Sequence, residues 1–269
     1  MDPTGLLSAL VVFLLLVGSA LLGGYARPRL PERHRGRETA ELMQLTINLL
    51  ATFAALVLGL MTTSVKHGFD QAAHDRQTYA LKLASLDVCL RDYGPETRDI
   101  RDVLHAYVGA VIASTWPEEP APTGVMFPDT RQMPRSSGSP VLAGLVNRIG
   151  TGINHLSPAN SFQERTLAMC AARYQEVMAM RTETIVDTHR GLFQPFYIIL
   201  VFWLMIMFAC FGLTAPLNGI TEITLVLCAL SISSVIFVIA DLDQPYGGLF
   251  SISSIDMRQA LAEMLTPGS

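Results

Sequence analysis

The sequence predicts an all-α integral membrane protein. Four transmembrane helices form two hairpins, and a large helical insert separates spans two and three. Three observations predict this. Half of the 269 residues are hydrophobic and only 16% are charged, against roughly a quarter charged in soluble domains. The apolar residues are gathered into four long runs. No stretch shows strand alternation, and no internal repeat marks an inverted-repeat transporter. Mean hydropathy is +0.37. A net charge of −4 excludes a nucleic-acid partner, which needs a basic footprint. Four cysteines without a C-x-x-C pair exclude a disulfide scaffold and a standard zinc site.

Leu6 to Gly23 is the first span and holds no charged residue. Crossing takes roughly 20 apolar residues. A cleaved leader is the competing reading, favoured by the small residues near Tyr25-Ala26. Asp2, and the lack of Lys or Arg in Met1 to Gly5, speak against it. Leu45 to Ser64 is the second span, Phe196 to Leu213 the third and Ile223 to Ala240 the fourth. Spans one and two are joined by 21 residues rich in arginine and proline (Arg27, Pro28, Arg29, Pro31, Arg33, Arg35, Arg37). Ala215, Pro216, Leu217, Asn218 and Gly219 supply turn chemistry between spans three and four. The expected division is 1–64 for the first hairpin, 65–195 for the insert, 196–242 for the second hairpin and 243–269 for a C-terminal turn and short amphipathic helix.

Within the insert, Phe69, Ala73, Ala80, Leu83, Leu86 and Leu90 fall at helical spacing. No strong breaker precedes them, so one long helix should leave the membrane directly and end at Gly94-Pro95. The next helix carries Ile100, Val103, Leu104, Tyr107, Val108 and Val111 on one face. Residues 117–139 read as a mobile loop. Ser139-Pro140 opens a short helix bearing Val141, Leu142, Leu145 and Ile149. Ser161 and Glu164 form a capping-box pattern ahead of a stripe of Leu167, Cys170, Tyr174, Val177, Met178, Arg181 and Ile185. That helix runs into span three through Gly191 and Pro195. Ser254 is expected to cap the last helix. Its apolar face (Met257, Ala260, Leu261, Met264) should pack on the membrane-proximal end of the insert.

Four spans put the insert and both termini on one side. Five arginines in the first connector argue that it is cytoplasmic. Lys66, Arg76, Lys82, Arg173, Arg181, Arg190 and Arg258 pull the other way, and the count leaves the side open.

After span four comes Asp241-Leu242-Asp243-Gln244-Pro245-Tyr246-Gly247-Gly248, then Phe250-Ser251-Ile252-Ser253 and Arg258-Gln259-Ala260-Leu261. Gly59, Phe69, Ala73, Arg76 and Leu86, with Pro95-Glu96, Arg98 and Tyr107, form a second pattern. Together these resemble a bacterial bestrophin-like membrane family of unknown function, distantly similar to the bestrophin anion channels. The resemblance implies a ring-forming homo-oligomeric ion channel with a cytosolic insert, in the inner membrane. It also points to a cation site past the last span, for which Asp241, Asp243 and Asp256 are the weak candidates. Local capping is the plainer reading, because the EF-hand pattern fails.

In span two, Gln44, Asn48, Thr52, Ala55, Gly59, Thr62 and Lys66 step by three or four along one helix face. An amide facing lipid would go unsatisfied, so this stripe faces protein or water. Helix packing is one reading, with span four the expected partner. Lining a conducting path is the other, through Asn48, Thr52, Gly59 and Thr62, with Leu56 or Leu60 as dewetting constrictions. Thr224, Cys228, Ser231, Ser234 and Asp241 mark a similar inward face on span four. Span three is bulky all round and should face lipid. Ser19 and Gly23 give span one a small-xxx-small signal.

No Asp, Glu, Lys, Arg or His stands mid-span, which disfavours ion-coupled pumping. His67, His74, His105, His155 and His189 lack zinc spacing and read as solvated or satisfied groups, with pH sensing as the sharper alternative. G-x-S-x-G and H-E-x-x-H are absent, so neither an enzyme nor a cofactor is expected. Cys89 and Cys170 lie on helices that should run side by side. A cytosolic insert leaves them as buried thiols, the expected state, and an external one allows a bridge. The functional expectation is a passive ion channel of unresolved selectivity, with lipid, further copies and inorganic ions as partners. The alternative is a non-conducting scaffold or sensor whose insert binds a partner.

Overall fold

The computed structural model describes residues 4–29, 37–131, 133, 138–187, 194–216 and 218–266. Arg33, Arg35, Ser136, Ser137, His189, Gly191 and Leu217 lie outside them. Among the described residues there are eight α-helices and no strand: α1 (Thr4–Ala26), α2 (Arg37–Tyr93), α3 (Arg98–Thr115), α4 (Pro140–Asn154), α5 (Ser161–Asp187), α6 (Gln194–Thr214), α7 (Gly219–Leu242) and α8 (Ile255–Leu265). The chain is a helical membrane protein, and α1, α2, α6 and α7 are long and apolar enough to cross a bilayer. It divides into two compact units, Met1–Phe69 with Gly191–Ser251 and Asp70–Arg190 with Ile252–Ser269.

In the first unit α1 packs on α6 and α7. Val12, Leu16, Leu200, Leu204, Phe208, Ala229 and Ile236 form its core. The α1–α6 contact is backbone against backbone. A Cβ on Gly23 would overlap the Ala209 carbonyl, and one on Gly212 would overlap the Ala20 carbonyl. Small residues let membrane helices approach this closely, so the small-residue signal at Gly23 marks a real packing seam. The expectation that span three faces lipid needs correction. Leu200, Leu204, Met207 and Phe208 are buried, and only its other side, with Phe196, Ile198 and Phe202, is exposed. An all-apolar helix gives no clue to which side finds a partner; here the small residues of α1 supply it.

Asn218 caps α7, its Oδ1 accepting from the Thr221 amide at 2.9 Å. The Arg27 guanidinium donates to the Ala215 carbonyl just past α6, placing positive charge where a helix end presents unpaired carbonyls.

In the second unit α3 is the central rod. Leu104, Tyr107, Val108, Ala110, Val111 and Ile112 have no exposed surface, and α4 and α8 pack on it. Gly94, at φ 134°, breaks α2. The Thr97 hydroxyl closes the reversal by donating to the Leu90 carbonyl at 2.5 Å. Ser139 caps α4 as expected, its Oγ accepting from the Val141 amide. The capping box of α5 is shifted by one residue. Asn160 Oδ1 accepts from the Gln163 amide at 2.9 Å, and Gln163 Oε1 accepts from the Ala159 amide at 2.8 Å.

Helix α8 buries Met257, Ala260, Leu261 and Met264. The Trp116 indole donates to the Ile252 carbonyl at 2.7 Å ahead of it. At its far end the Met264 carbonyl accepts from Arg91 at 3.3 Å and Arg101 at 3.5 Å. The helix therefore docks on the insert, but it reaches the last turn of α2, the one most distant along that helix from span two. Ser254 makes no side-chain cap; its hydroxyl bonds the Glu119 carboxylate instead.

Candidate pore face and the turn after the last span

The polar stripe of span two stands on an open face. Ile47, Ala54, Met61 and Val65 bury one side of α2. Gln44, Asn48, Thr52, Ala55, Gly59, Thr62 and Lys66 are all exposed on the other. Packing against span four within the chain is thereby overturned. Beyond its own stretch of helix, no described residue lies within 4 Å of a Cβ placed on Gly59, so among the described residues this glycine is not a packing contact. Hydroxyl protons along the stripe are used locally. Thr52 donates to the Asn48 carbonyl at 2.9 Å and Thr62 to the Leu58 carbonyl at 2.8 Å. Gln44 donates to the Asn48 Oδ1 at 3.2 Å. From Gln44 to Thr62 the stripe is a mildly polar surface without a charged side chain, and Lys66 ends it.

Span four behaves likewise. Thr224, Cys228, Ser231 and Ser234 are exposed rather than inward. Ser231 donates to the Leu227 carbonyl at 2.9 Å and Ser234 to the Ser231 carbonyl at 2.7 Å. Ala229, Ser233, Ile236 and Ile239 form the buried face instead. Of the five residues read as inward, Asp241 alone is buried, at 5% exposure.

Asp241 explains the sequence signature after span four. Its carboxylate accepts from the Leu249 amide at 2.9 Å and the Phe250 amide at 2.8 Å. Charge-assisted bonds of this kind are the strong ones. Gly248, at φ 86°, is the glycine this turn requires, because a Cβ there would strike the Asp241 carboxylate. Gly247, singled out from sequence, only donates to the Gln244 carbonyl at 3.1 Å, in the turn that Pro245 opens. Asp243 and Asp256 are exposed. Among the described residues no three His, Cys, Asp or Glu gather as a metal site. Asp241 serves the turn through its two amide bonds. Arg258 has a separate structural task, donating to Glu119 at 3.0 Å and to the Pro120 carbonyl at 2.8 Å.

Sequence reasoning missed the centre of the insert. Asp87 has a wholly buried side chain and accepts from Arg91 at 3.1 Å, Arg101 at 2.9 Å and His105 at 2.8 Å. Burial pushes its carboxyl up, but the hydrogen bonds and charges of His105 and Arg101 outweigh that and hold it below the usual carboxylate range. An acid amid Leu83, Leu86 and Leu90 was the available signal. Tyr79 and Tyr107 meet hydroxyl to hydroxyl at 2.5 Å. Burial pushes both phenols up, Tyr79 well above its ordinary value. The Arg76 guanidinium lies 5.6 Å from the Trp116 ring centre.

The expected free thiols are also corrected. Cys89 and Cys170 are bridged, with Cα atoms 5.6 Å apart, ordinary disulfide spacing. Lys82 and Glu176 pair at 2.6 Å between the same two helices. α2 and α5 therefore run side by side, as their cysteines suggested.

The bestrophin-like domain is matched over residues 10–257. No curated protein matches at a significant level. Among solved structures, the chain is similar to bacterial bestrophin homologues from Klebsiella pneumoniae. One variant aligns with TM-score 0.69 at 16% identity, over 98% of this chain and 99% of that one. Another aligns with TM-score 0.65 at 15% identity, over 96% and 99%. A third structure of that homologue gives 0.62 at 16% identity, over 95% and 96%.

Proposed function

Because the chain belongs to the bestrophin-like family, we propose that it is a passive ion channel, built as a ring of copies with the span-two stripe of each facing a shared axis. In this reading α1, α2, α6 and α7 cross the inner membrane as two hairpins. Residues 1–64 and 196–242 are then the membrane part, 65–195 the insert, and 243–269 the C-terminal turn and helix. Ions are conducted and no reaction is catalysed.

One observation carries the reading: the polar and small residues of the stripe, from Asn48 to Thr62, are exposed, beside the buried face of Ile47, Ala54, Met61 and Val65. An uncompensated amide in hydrocarbon costs several kcal/mol, on the order of 4–8 on a water-to-alkane scale. Such a face needs water or a second protein surface. A single copy with no mid-span charge offers too little polar surface to enclose a wet path alone. Several copies, each presenting one mildly polar helix, can do so. The lining would be neutral, with Leu56 or Leu60 able to interrupt the water column. Ion selectivity is then weak, or set by charges outside the membrane. Asn48→Leu tests the proposal by flux from purified protein in liposomes. A pore role lowers or abolishes flux with the oligomer intact. Disturbed assembly before any change in flux indicates packing between copies instead.

A further inference from the structure

We infer that Cys89 and Cys170 are a reversible redox site: their bridge ties α5 to α2, and a small thiol such as glutathione opens it. The inference goes beyond conduction and takes the insert to be cytosolic, as the family resemblance implies. Reducing compartments do not keep disulfides as permanent staples, and those met there are mostly transient, catalytic or redox-sensing. Such a pair has to be tolerated both joined and parted, and its surroundings provide for each state.

Joined, the sulfurs link backbones whose Cα atoms are 5.6 Å apart, within the ordinary range. Parted, each cysteine still has a place. The Cys89 sulfur lies 3.6 Å from the Thr166 carbonyl, one turn before Cys170 on α5, so a released thiol already has its acceptor. Cys170 has no exposed surface, and a buried thiol behaves as a small hydrophobe. The bond also sits where opening it matters. Two turns away along α2, Lys82 and Glu176 pair at 2.6 Å with side chains 33% and 41% exposed, and exposed ion pairs hold little. One turn the other way, the Gln163 amide donates to the Tyr93 carbonyl at 3.2 Å. Between these two modest polar ties, the covalent bond is the strongest link from α5 to α2.

Cys89 keeps 9% of its surface and Cys170 none, so an incoming thiolate meets the bridge at Cys89. Attack on the Cys89 Sγ forms a mixed disulfide, breaks the S–S bond and expels Cys170 as a thiolate, which takes up a proton. A second small thiol attacks the mixed disulfide at the added sulfur and releases Cys89, which is protonated in turn. The small thiols give up a pair of electrons and a pair of protons and leave as one disulfide, while the protein gains both thiols. Closing is the same exchange run backward from a low-molecular-weight disulfide. The redox poise of the surroundings thereby sets how firmly α5 is held.

The test uses the full-length protein in detergent, carrying Cys210→Ala and Cys228→Ala. It is equilibrated natively in mixtures of reduced and oxidised glutathione, quenched with acid, denatured and alkylated with a mass-tagged maleimide. Both Cys89 and Cys170 should take the tag after excess reduced glutathione and neither after excess oxidised, with one sample cycled both ways. Protease should cut the largely exposed α4–α5 connection, residues 155–160, faster in the open form, because the start of α5 is then held without a covalent bond. Cys170→Ala should be cut at the open-form rate in either buffer. If that variant fails to fold, the two buffers on the parent protein decide alone. A bridge that survives excess reduced glutathione natively, and yields only on denaturation, overturns the inference and leaves a permanent staple. Failure to bridge in oxidised glutathione overturns it, as does equal cutting of the two forms. In growing cells quenched with acid, both cysteines should take the tag, and neither after a thiol oxidant; a bridge present throughout overturns the reversible site. None of these readouts uses flux, so their failure leaves the channel reading standing.

Discussion

The two units satisfy their polar groups in opposite ways. In the membrane unit, Thr52, Thr62 and Ser231 each bond a carbonyl of their own helix, one turn back. Asp241 bonds amides only eight and nine residues on. In the insert, the bonds cross between helices: Asp87 to Arg101 and His105, Tyr79 to Tyr107, and Lys82 to Glu176. Spans whose hydroxyls are locally satisfied keep their outer faces available for neighbours. An insert pinned by long-range charged and phenolic contacts is specified as one arrangement. Bilayer physics permits the first, since helices settle their backbone bonds internally. In the second, cross-helix networks fix a polar core.

Four measurements would break or sharpen this contrast, the largest effect first. Asp87→Ala leaves Arg101, Arg91 and His105 facing a buried void. Breaking a buried charge pair costs about 3–5 kcal/mol, so the insert should fail to give a monodisperse protein, or melt far earlier, by thermal scanning in detergent. The linked pH effect has a definite sign. Because the Asp87 pKa is depressed on folding, its stabilisation is complete above the unfolded carboxylate value of about 3.9. It is lost as pH falls through the folded value. A scan from pH 6 to 3 should show an acid-induced loss of melting temperature, and Asp87→Asn should flatten it.

Asp241→Ala comes next. Removing an acceptor of two backbone amides should cost about 1.5–3 kcal/mol, read as faster proteolysis between residues 243 and 254 and a lower melting temperature. A wild-type digestion pattern would show that the turn holds without its carboxylate. Third is a pair of single methyl insertions. Gly23→Ala drives a Cβ into the Ala209 carbonyl and should cost about 1–3 kcal/mol. Gly59→Ala meets open space, and the subunit's melting temperature should hold or rise, because alanine is about 0.5–1 kcal/mol better than glycine inside a helix. Equal effects would erase the distinction between the packed and open faces. The smallest effect is Thr52→Val, whose hydroxyl bonds only its own helix. Stability should stay within about 0.5 kcal/mol, while any change in liposome flux would come from the face it presents.

Much of the architecture was legible in the sequence, for identifiable reasons. A bilayer demands a run of fixed length, so the four apolar helices announced themselves. α2 could be followed through Lys66 and Gly68 because nothing breaks it before Gly94-Pro95. What escaped was relational. Asn160 and Ser161 are both capping residues, and Gln163 and Glu164 both suit the third position, so the pattern was degenerate by one. Span three, apolar on every side, carries no sign of its partner. The polar stripes were legible as faces, but what they face depends on surfaces outside one chain. Asp87 stood in plain sight in an apolar stripe; its partners Arg101 and His105 lie on a different helix, and only folding brings them together.

The Gly23–Gly212 seam carries a mechanical consequence. Two helices whose backbones touch cannot slip by a residue or roll on one another, because either motion drives a Cβ into a carbonyl. α1 and α6 therefore share one register and travel as a single stave. Any displacement within this unit has to be taken up elsewhere than at this seam. α2 and α7 carry the exposed faces that bear hydroxyls.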